Sequence, residues 1–279
     1  MPTPGTLYLV ATPIGNLGDI SYRAADTLGS VDFIAAEDTR VTIKLLNHLG
    51  IKKPLISYYE HNSKYSGEKI ISRIVVGENC ALVTDAGMPG VSDPGQGLIR
   101  LCVQADINLV VIPGPCAAVS ALVLSGFSTN RFAFEGFLST ARKSRFEHLD
   151  MLKGEKRDMI FYEAPHKLLR TLKDMAETFG PDRKISISRE MTKIFEETHR
   201  FTLADACDYF ENNKPRGEFV IVVKGAGDTH EPSLEEAAII AREYMKSGLS
   251  VKDSVKAAAL ETKIAKNMLY DVIVKGKED

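Results

Sequence analysis

No apolar run in this chain approaches the roughly 20 residues that a membrane-crossing helix needs, so no such anchor is expected. Nor does the stretch Met1 to Gly5 carry a basic region before the first short apolar run. No secretory signal is therefore expected, and the chain is read as cytoplasmic. Cysteine is scarce. Cys80, Cys102, Cys116 and Cys207 lie far apart, with no CxxC pair and no Cys/His cluster. That pattern excludes a zinc site and a disulfide framework, fits a reducing compartment and leaves no metal expected. Excess charge of either sign is also missing, since 35 Lys+Arg stand against 37 Asp+Glu for a net −2. A protein held to nucleic acid by phosphate contacts alone would be basic overall, so any such contact must come from local patches. A Walker lysine loop is absent. Gly15-Asn16-Leu17-Gly18, after the first apolar run, is not GxGxxG, which speaks against a nicotinamide or flavin cofactor.

What is present is a regular alternation. Thr6–Ala11, Phe33–Ala36, Leu55–Tyr58, Ala81–Thr84 and Asn108–Ile112 read as strands. Between them Tyr22–Leu28, Val41–Leu49, Lys64–Val76 and Gln96–Gln104 read as helices. This rhythm predicts an α/β fold with a largely parallel sheet covered on both faces. A second series follows, with strands at Phe132–Phe137, Met159–Tyr162, Ile185–Ser188 and Phe219–Val223 and helices near Arg142–Leu152 and His166–Phe179. The change falls at Pro113-Gly114-Pro115, so one domain is placed at 1–113 and a second at 114–227. After Gly225-Ala226-Gly227-Asp228, read as a linker, only helical periodicity remains. Ser233 and Glu236 form a capping box, Gly248 is a stop, Ser250 starts a second helix and Thr262 a third that Gly276 ends. Residues 228–279 are thus expected to form a small three-helix bundle.

The strand ends carry the unusual residues, and ligands of open α/β sheets bind at carboxyl ends of strands. They are Thr12-Pro13-Ile14-Gly15, Glu37-Asp38-Thr39-Arg40, the run Asp85-Ala86-Gly87-Met88-Pro89-Gly90-Val91-Ser92-Asp93-Pro94-Gly95, Pro113 to Ala118, and Glu163-Ala164-Pro165-His166. The long run is the most informative. Glycine and proline in close succession let backbone approach a ligand along a fixed path. Asp93 is expected as N-cap and Pro94 as first residue of the next helix, whose start could receive a ligand carboxylate.

Read in order, VATPIGNLGDIS, AAEDTR, LVTDAGMPGVSDPG, VIPGPCAA, FYEAPHK and GEFVIVVKG resemble the bacterial ribosomal RNA small subunit methyltransferase I family, of the tetrapyrrole-methylase superfamily. The resemblance spans roughly Thr6 to Gly225, and Lys167 departs from it, standing where members often carry arginine. It implies two α/β domains of the tetrapyrrole-methylase type with S-adenosyl-L-methionine in the cleft between them, in a homodimer. It also implies 2′-O-methylation of a cytidine ribose in the decoding region of 16S ribosomal RNA, with small-subunit rRNA or the small ribosomal subunit as partner. The matching positions imply a cofactor pocket of Thr12, Pro13, Asp85, Ala86, Gly87, Val91, Ser92, Cys116, Ala117, Phe161, Tyr162 and Glu218.

Displacement of a methyl group by a ribose hydroxyl needs in-line positioning first and a base second. Glu37, Asp38, Arg40 and Glu163 are the candidate catalytic or RNA-positioning residues, with a salt bridge inside AEDTR as the alternative for the first three. Phosphate contacts are expected from Arg142-Lys143-Ser144-Arg145, from Lys52-Lys53 and from the C-terminal helices. Between Lys246 and Lys277 those helices carry seven lysines (246, 252, 256, 263, 266, 275, 277) against Asp253, Glu261 and Asp271, a net of 7 − 3 = +4. A compact basic three-helix unit is helix-turn-helix-like. Two other functions fit the same motifs less well: a tetrapyrrole methyltransferase, which needs no basic appendage, and a non-catalytic RNA-binding protein, which needs no intact Gly/Pro loop.

Overall fold

The computed structural model of the chain describes residues 3–59, 62–227, 234–262 and 264–275. They form two compact units, 1–225 and 226–279. The first half of the larger unit is built on a five-stranded sheet of β1 (Thr6–Val10), β2 (Phe33–Ala36), β3 (Leu55–Ser57), β4 (Cys80–Val83) and β5 (Asn108–Ile112), in the order β3-β2-β4-β1-β5. All four pairings are parallel. Helices α1 (Tyr22–Ser30), α2 (Thr39–Leu49), α3 (Ser63–Val75) and α4 (Gln96–Gln104) connect the strands. β2 and β4 are buried at every position, as strands covered on both faces must be. One face packs Leu7, Leu9, Phe33, Tyr58, Ile70 and Leu98, the other Val10, Leu28, Ile34, Leu45, Ala81 and Val83.

This strand order creates the binding crevice. β1 and β4 are neighbours, but the chain leaves β1 for β2 on one side and leaves β4 for β5 on the other. Their carboxyl ends therefore part at a topological switch point, where loops diverge and leave room for a ligand.

After α5 (Ala117–Ser125) a second sheet follows: β6 (Phe132–Phe137), β7 (Asp158–Glu163), β8 (Lys184–Arg189), β9 (Glu197–Thr202) and β10 (Phe219–Val223), in the order β6-β7-β10-β8-β9. Only β6 and β7 run parallel; β10 lies antiparallel to β7 and β8, and β8 to β9. The parallel sheet expected of the first series is thus formed. The second sheet is mixed, and its β8 and β9 are joined by the short segment 190–196 with no crossover helix between them, so they run antiparallel. Helices α6 (Arg142–Leu152), α7 (Leu168–Phe179) and α8 (Leu203–Asn212) accompany it.

Two of these elements carry no usable sequence period. α5 is apolar almost all round, with Ala118, Ala121 and Leu122 buried yet Val119 and Val123 exposed, so its sequence shows no stripe. β9 (ETHRFT) is a polar edge strand with no fully buried residue, and α8 is entered directly from it. Thr202 and Asp205 form a capping box at that junction.

The smaller unit contains α9 (Leu234–Lys246), α10 (Val251–Thr262) and α11 (Lys266–Lys275) around Ala237, Ala241, Val255, Ala258, Leu269 and Ile273. Gly248 follows α9 as expected. Ser250 caps α10, its hydroxyl accepting the Asp253 N–H. Thr262, expected to open the third helix, instead closes the second, its hydroxyl donating to the Ala258 carbonyl one turn back. The expected cap at Ser233, the stop at Gly276 and Asp228, Lys263 and Lys277 lie outside the described residues. Gly225 is not linker-like: it is buried and its N–H donates to Asp158 Oδ1 at 2.8 Å.

Candidate active site

A cavity of about 340 Å³ opens at the switch point. The β4 loop forms one wall with Ala86, Gly87, Met88, Val91, Ser92 and Asp93, and Ile14, Cys116 and Ala117 come from the loops after β1 and β5. The second sheet closes it with Phe137, Tyr162, Glu163, Ala164, Pro165, Met191, Glu218, Phe219 and Val220. The volume lies within the usual range for a small-molecule site, about 300–1,000 Å³. Its lining is mostly apolar, with a few polar groups that would fix a ligand's orientation.

Gly87 anchors the wall. Its N–H and carbonyl pair with those of Thr12, at 3.1 and 2.9 Å, joining the loops of β1 and β4 across the crevice. The Thr12 hydroxyl donates to the Thr84 carbonyl. Gly87 adopts φ +81°, a left-handed conformation that costs other residues about 1–2 kcal/mol. Ser92 takes φ +60° without being glycine, and such strain concentrates at ligand-binding loops. At Gly95, φ +143°, a side chain would meet Gly90 N and Leu82 Cδ2 at 3.1 Å, so only glycine lets the loop fold back on itself. α4 accordingly begins at Gln96 with Gly95 as its cap, and the expected cap at Asp93 with Pro94 opening the helix is not formed. Asp93 faces the cavity instead.

That placement makes Asp93 the most perturbed acid of the site. Burial raises its pKa to about 7, and the neighbouring charges of Glu37 and Asp85 push the same way. Glu37 and Asp85 are themselves raised, chiefly by burial. Their carboxylates fasten two loops together: Glu37 accepts the Asp85 N–H at 3.2 Å, and Asp85 accepts the Asp38 N–H at 3.1 Å. Tyr162 lines the cavity with its hydroxyl accepting the Ala118 N–H, and burial raises its pKa to about 12.

The residues singled out from sequence divide accordingly. Ala86, Gly87, Val91, Ser92, Cys116, Ala117, Tyr162, Glu163 and Glu218 line the cavity. Thr12 and Pro13 are buried behind it, and Phe161 points to the opposite face of its strand, wholly inside the core. Asp85, Glu37, Asp38 and Arg40 stand at the strand ends outside the lining. Glu163 is buried with both oxygens engaged, Oε1 by the Ala164 N–H and Oε2 by the Thr171 hydroxyl at 2.6 Å. It fixes the turn after β7 at the edge of the cavity. Asp38 caps α2 and chelates the Arg40 guanidinium, whose bonds hold its pKa down at about 2.

Arg40 is 87% exposed on its side chain, so that ion pair contributes little to folding. Arg40→Ala should leave the melting temperature and ligand affinity unchanged. Lower turnover on a large acceptor would then report a positioning role, and unchanged turnover would exclude one. Arg145, expected on phosphate, is 2% exposed on its side chain. It bonds Asp174 at 2.6 Å and the carbonyls of Ser139 and Thr140, so it ties α6 to α7.

Sequence reading missed Asp93 as a lining group, and also Ile14, Met88, Phe137 and Met191. Met191 sits between Glu190 and Thr192, at φ +49° and +67°, in the β8–β9 turn. Lys193 braces that turn by bonding both Glu190 and Glu218. Nothing in the local sequence signals the strain. Among the described residues, no cluster of three His, Cys, Asp or Glu could hold a metal, and no helix is long and apolar enough to cross a membrane.

The model of the tetrapyrrole (corrin/porphyrin) methylases matches residues 6–207. A ribosomal RNA small subunit methyltransferase I from Synechocystis sp. is 46% identical over 277 residues, covering 99% of each chain. One from Bacillus subtilis is 43% identical over 273 residues, covering 96% of this chain and 93% of its own. The crystal structure of uroporphyrin-III C-methyltransferase from Thermus thermophilus complexed with S-adenosyl homocysteine shares the fold, with TM-score 0.57 at 12% identity over 79% of this chain and 97% of that one.

Proposed function

The chain belongs to the ribosomal RNA small subunit methyltransferase I family of the tetrapyrrole methylases, and on that premise we propose that it transfers a methyl group from S-adenosylmethionine to a cytidine ribose 2′-hydroxyl of small-subunit rRNA. The observation that carries this is the cavity at the switch point, with Asp93 set in an otherwise mostly apolar lining. These residues fit the cofactor. Met88, Val91, Phe137 and Met191 offer apolar contact for a ring, and Asp93 favours a cation. Gly87 leaves the wall without a side chain where backbone must come close.

Held by these residues, S-adenosylmethionine would supply an electrophilic methyl group, with the neutral thioether as leaving group and the hydroxyl proton going to solvent. The protein's part is placement. The Thr12–Gly87 pairing sets the width of the crevice, Glu37 and Asp85 hold the loops of β2 and β4 in register, and Glu163 with Thr171 fixes the turn that presents Tyr162. In this reading residues 1–113 and 114–227 act as two domains, which accords with two sheets sharing no strand. It takes the working form as a cytoplasmic homodimer. The exposed apolar residues Val119 and Val123 of α5 and Ile194 and Phe195 after β8 support such an interface.

Labelled S-adenosylmethionine offered with small ribosomal subunits, free rRNA and a tetrapyrrole tests the proposal. Label is expected in rRNA at a ribose oxygen; label in the tetrapyrrole alone would overturn it.

Residues 228–279 are proposed as a helix-turn-helix-like RNA contact. Counted from Ala226 to Asp279 the unit holds eight basic and ten acidic residues, 8 − 10 = −2, so the net positive charge is confined to the Lys246–Lys277 stretch. Changing Lys252, Lys256 and Lys266 together to glutamate should leave cofactor affinity unchanged, weaken rRNA methylation about tenfold or more at physiological salt and flatten its salt dependence. Normal methylation by this variant would leave the unit a packing or dimer element.

A further inference from the structure

A second cavity, of about 460 Å³, lies on the other side of Ser92 and Asp93 and shares those two residues with the first. Its remaining walls are Tyr58, Pro94, Gly95, Gln96, Gly97 and Arg100. Gln96 and Arg100 are one turn apart on α4, so both side chains rise from one helix face. Among the described residues Arg100 is the sole basic one of that lining and has no ion pair, and it is exposed. Tyr58 closes the floor. It is 2% exposed and its hydroxyl lies against α4 at Gly97. The absent side chain of Gly97 makes this approach possible, since a Cβ there would stand 3.1 Å from the Tyr58 hydroxyl.

The two cavities differ in chemistry. The first is mainly apolar with an acid at its edge, suited to a cation. The second is more polar and adds to Asp93 the guanidinium of Arg100, which has no ion pair among the described residues, so it can take an anion beside hydroxyl and amide groups. Arginine meets phosphate with two parallel hydrogen bonds in fixed geometry. We propose that the second cavity receives the acceptor nucleotide, with Arg100 on its phosphate and its ribose turned towards the Ser92–Asp93 partition. This rests on the rRNA methyl-transfer reading and adds to it the place where the acceptor sits and the residue that positions it. Arg100 is a positioning residue, and it touches no reacting atom.

Arg100→Ala and Arg100→Lys in the full chain test the assignment, with cofactor affinity by calorimetry and methylation of a small-subunit rRNA transcript at several salt concentrations. For Arg100→Ala, cofactor affinity is expected to be unchanged and KM for the transcript to rise about tenfold. The slope of log KM against log salt should fall by about 0.7–0.9, the value of one phosphate contact. Lysine should restore the slope and only part of the affinity, because it keeps the charge without the fork. Parallel loss of cofactor affinity would overturn the proposal by making the second cavity part of the cofactor site. So would unchanged KM and salt slope in a protein that methylates rRNA normally, and the functional reading would then stand. A wild-type protein that labels no rRNA would instead overturn the functional reading, and this one with it.

Discussion

Gly87→Leu is expected to give a folded protein that no longer binds S-adenosylmethionine measurably. Two effects act together at this residue. Its φ of +81° suits glycine, so any side chain strains the loop by about 1–2 kcal/mol. A Cβ would contact Ile14 Cγ2 at 3.5 Å and the Pro115 carbonyl at 3.8 Å, and the rest of a leucine would have to grow from there beside the cavity. Ile14 is itself a lining residue, so the added volume lands where the ligand would lie. The strain should also loosen the Thr12–Gly87 pairing that sets the crevice width. Gly87→Ala separates the two effects: it carries the strain without the bulk, so a drop of a few degrees in Tm with affinity lowered only modestly is expected. Calorimetry giving wild-type affinity for a folded Gly87→Leu protein would remove this loop from the cofactor site.

For Asp93 the expected result is a pH dependence that disappears on mutation. Burial and the charges of Glu37 and Asp85 place its pKa at about 7, against the ordinary 3.8. Affinity for a cationic ligand should follow the ionised form. It should reach a plateau above pH 7 and fall towards tenfold per pH unit below it. Asp93→Asn should weaken binding about tenfold or more at pH 8 and abolish that slope. The unliganded protein should behave in the opposite sense. An acid whose pKa is raised by folding stabilises the fold most below its unfolded value, and that contribution is lost as pH rises from about 4 through about 7. Asp93→Asn should therefore remove a decline in Tm over this range. Comparing S-adenosylmethionine with its neutral-sulfur product S-adenosylhomocysteine locates the charge: a larger loss for the former places Asp93 near the sulfonium, and equal losses place it near the ammonium. If binding by the wild-type protein is flat from pH 5 to 8, the carboxylate does not face the cation.

Most of the skeleton of this enzyme was legible in its sequence, because the first half obeys periodic rules. Buried parallel strands read as apolar runs, and the helices between them show a single apolar stripe. Strands ending in TPIG, DAGMPG and PGP announce the loops that wall the cavity, whereas EDTR stands outside its lining. The same rules were silent on α5, which is apolar on nearly every side, and on β9, an edge strand as polar as a loop. The mixed direction of the second sheet was hidden too, since strand order and direction are settled by long-range pairing.

Within the site, the sequence by itself determined the loops, and the tertiary structure alone decided which side chains of those loops face the ligand. Phe161 and Tyr162 are adjacent, yet the pleat sends one into the core and the other into the cavity. Glu163 and Asp93 are both acids at strand ends. Thr171 and a backbone N–H engage the first, whereas Gly95 moves the helix start onward and leaves the second uncapped beside the cavity. Arg145 and Arg100 look alike in a string of letters. One meets Asp174 inside the fold and the other has no ion pair among the described residues, because partners far apart in sequence, and not local composition, fix the environment of a charge.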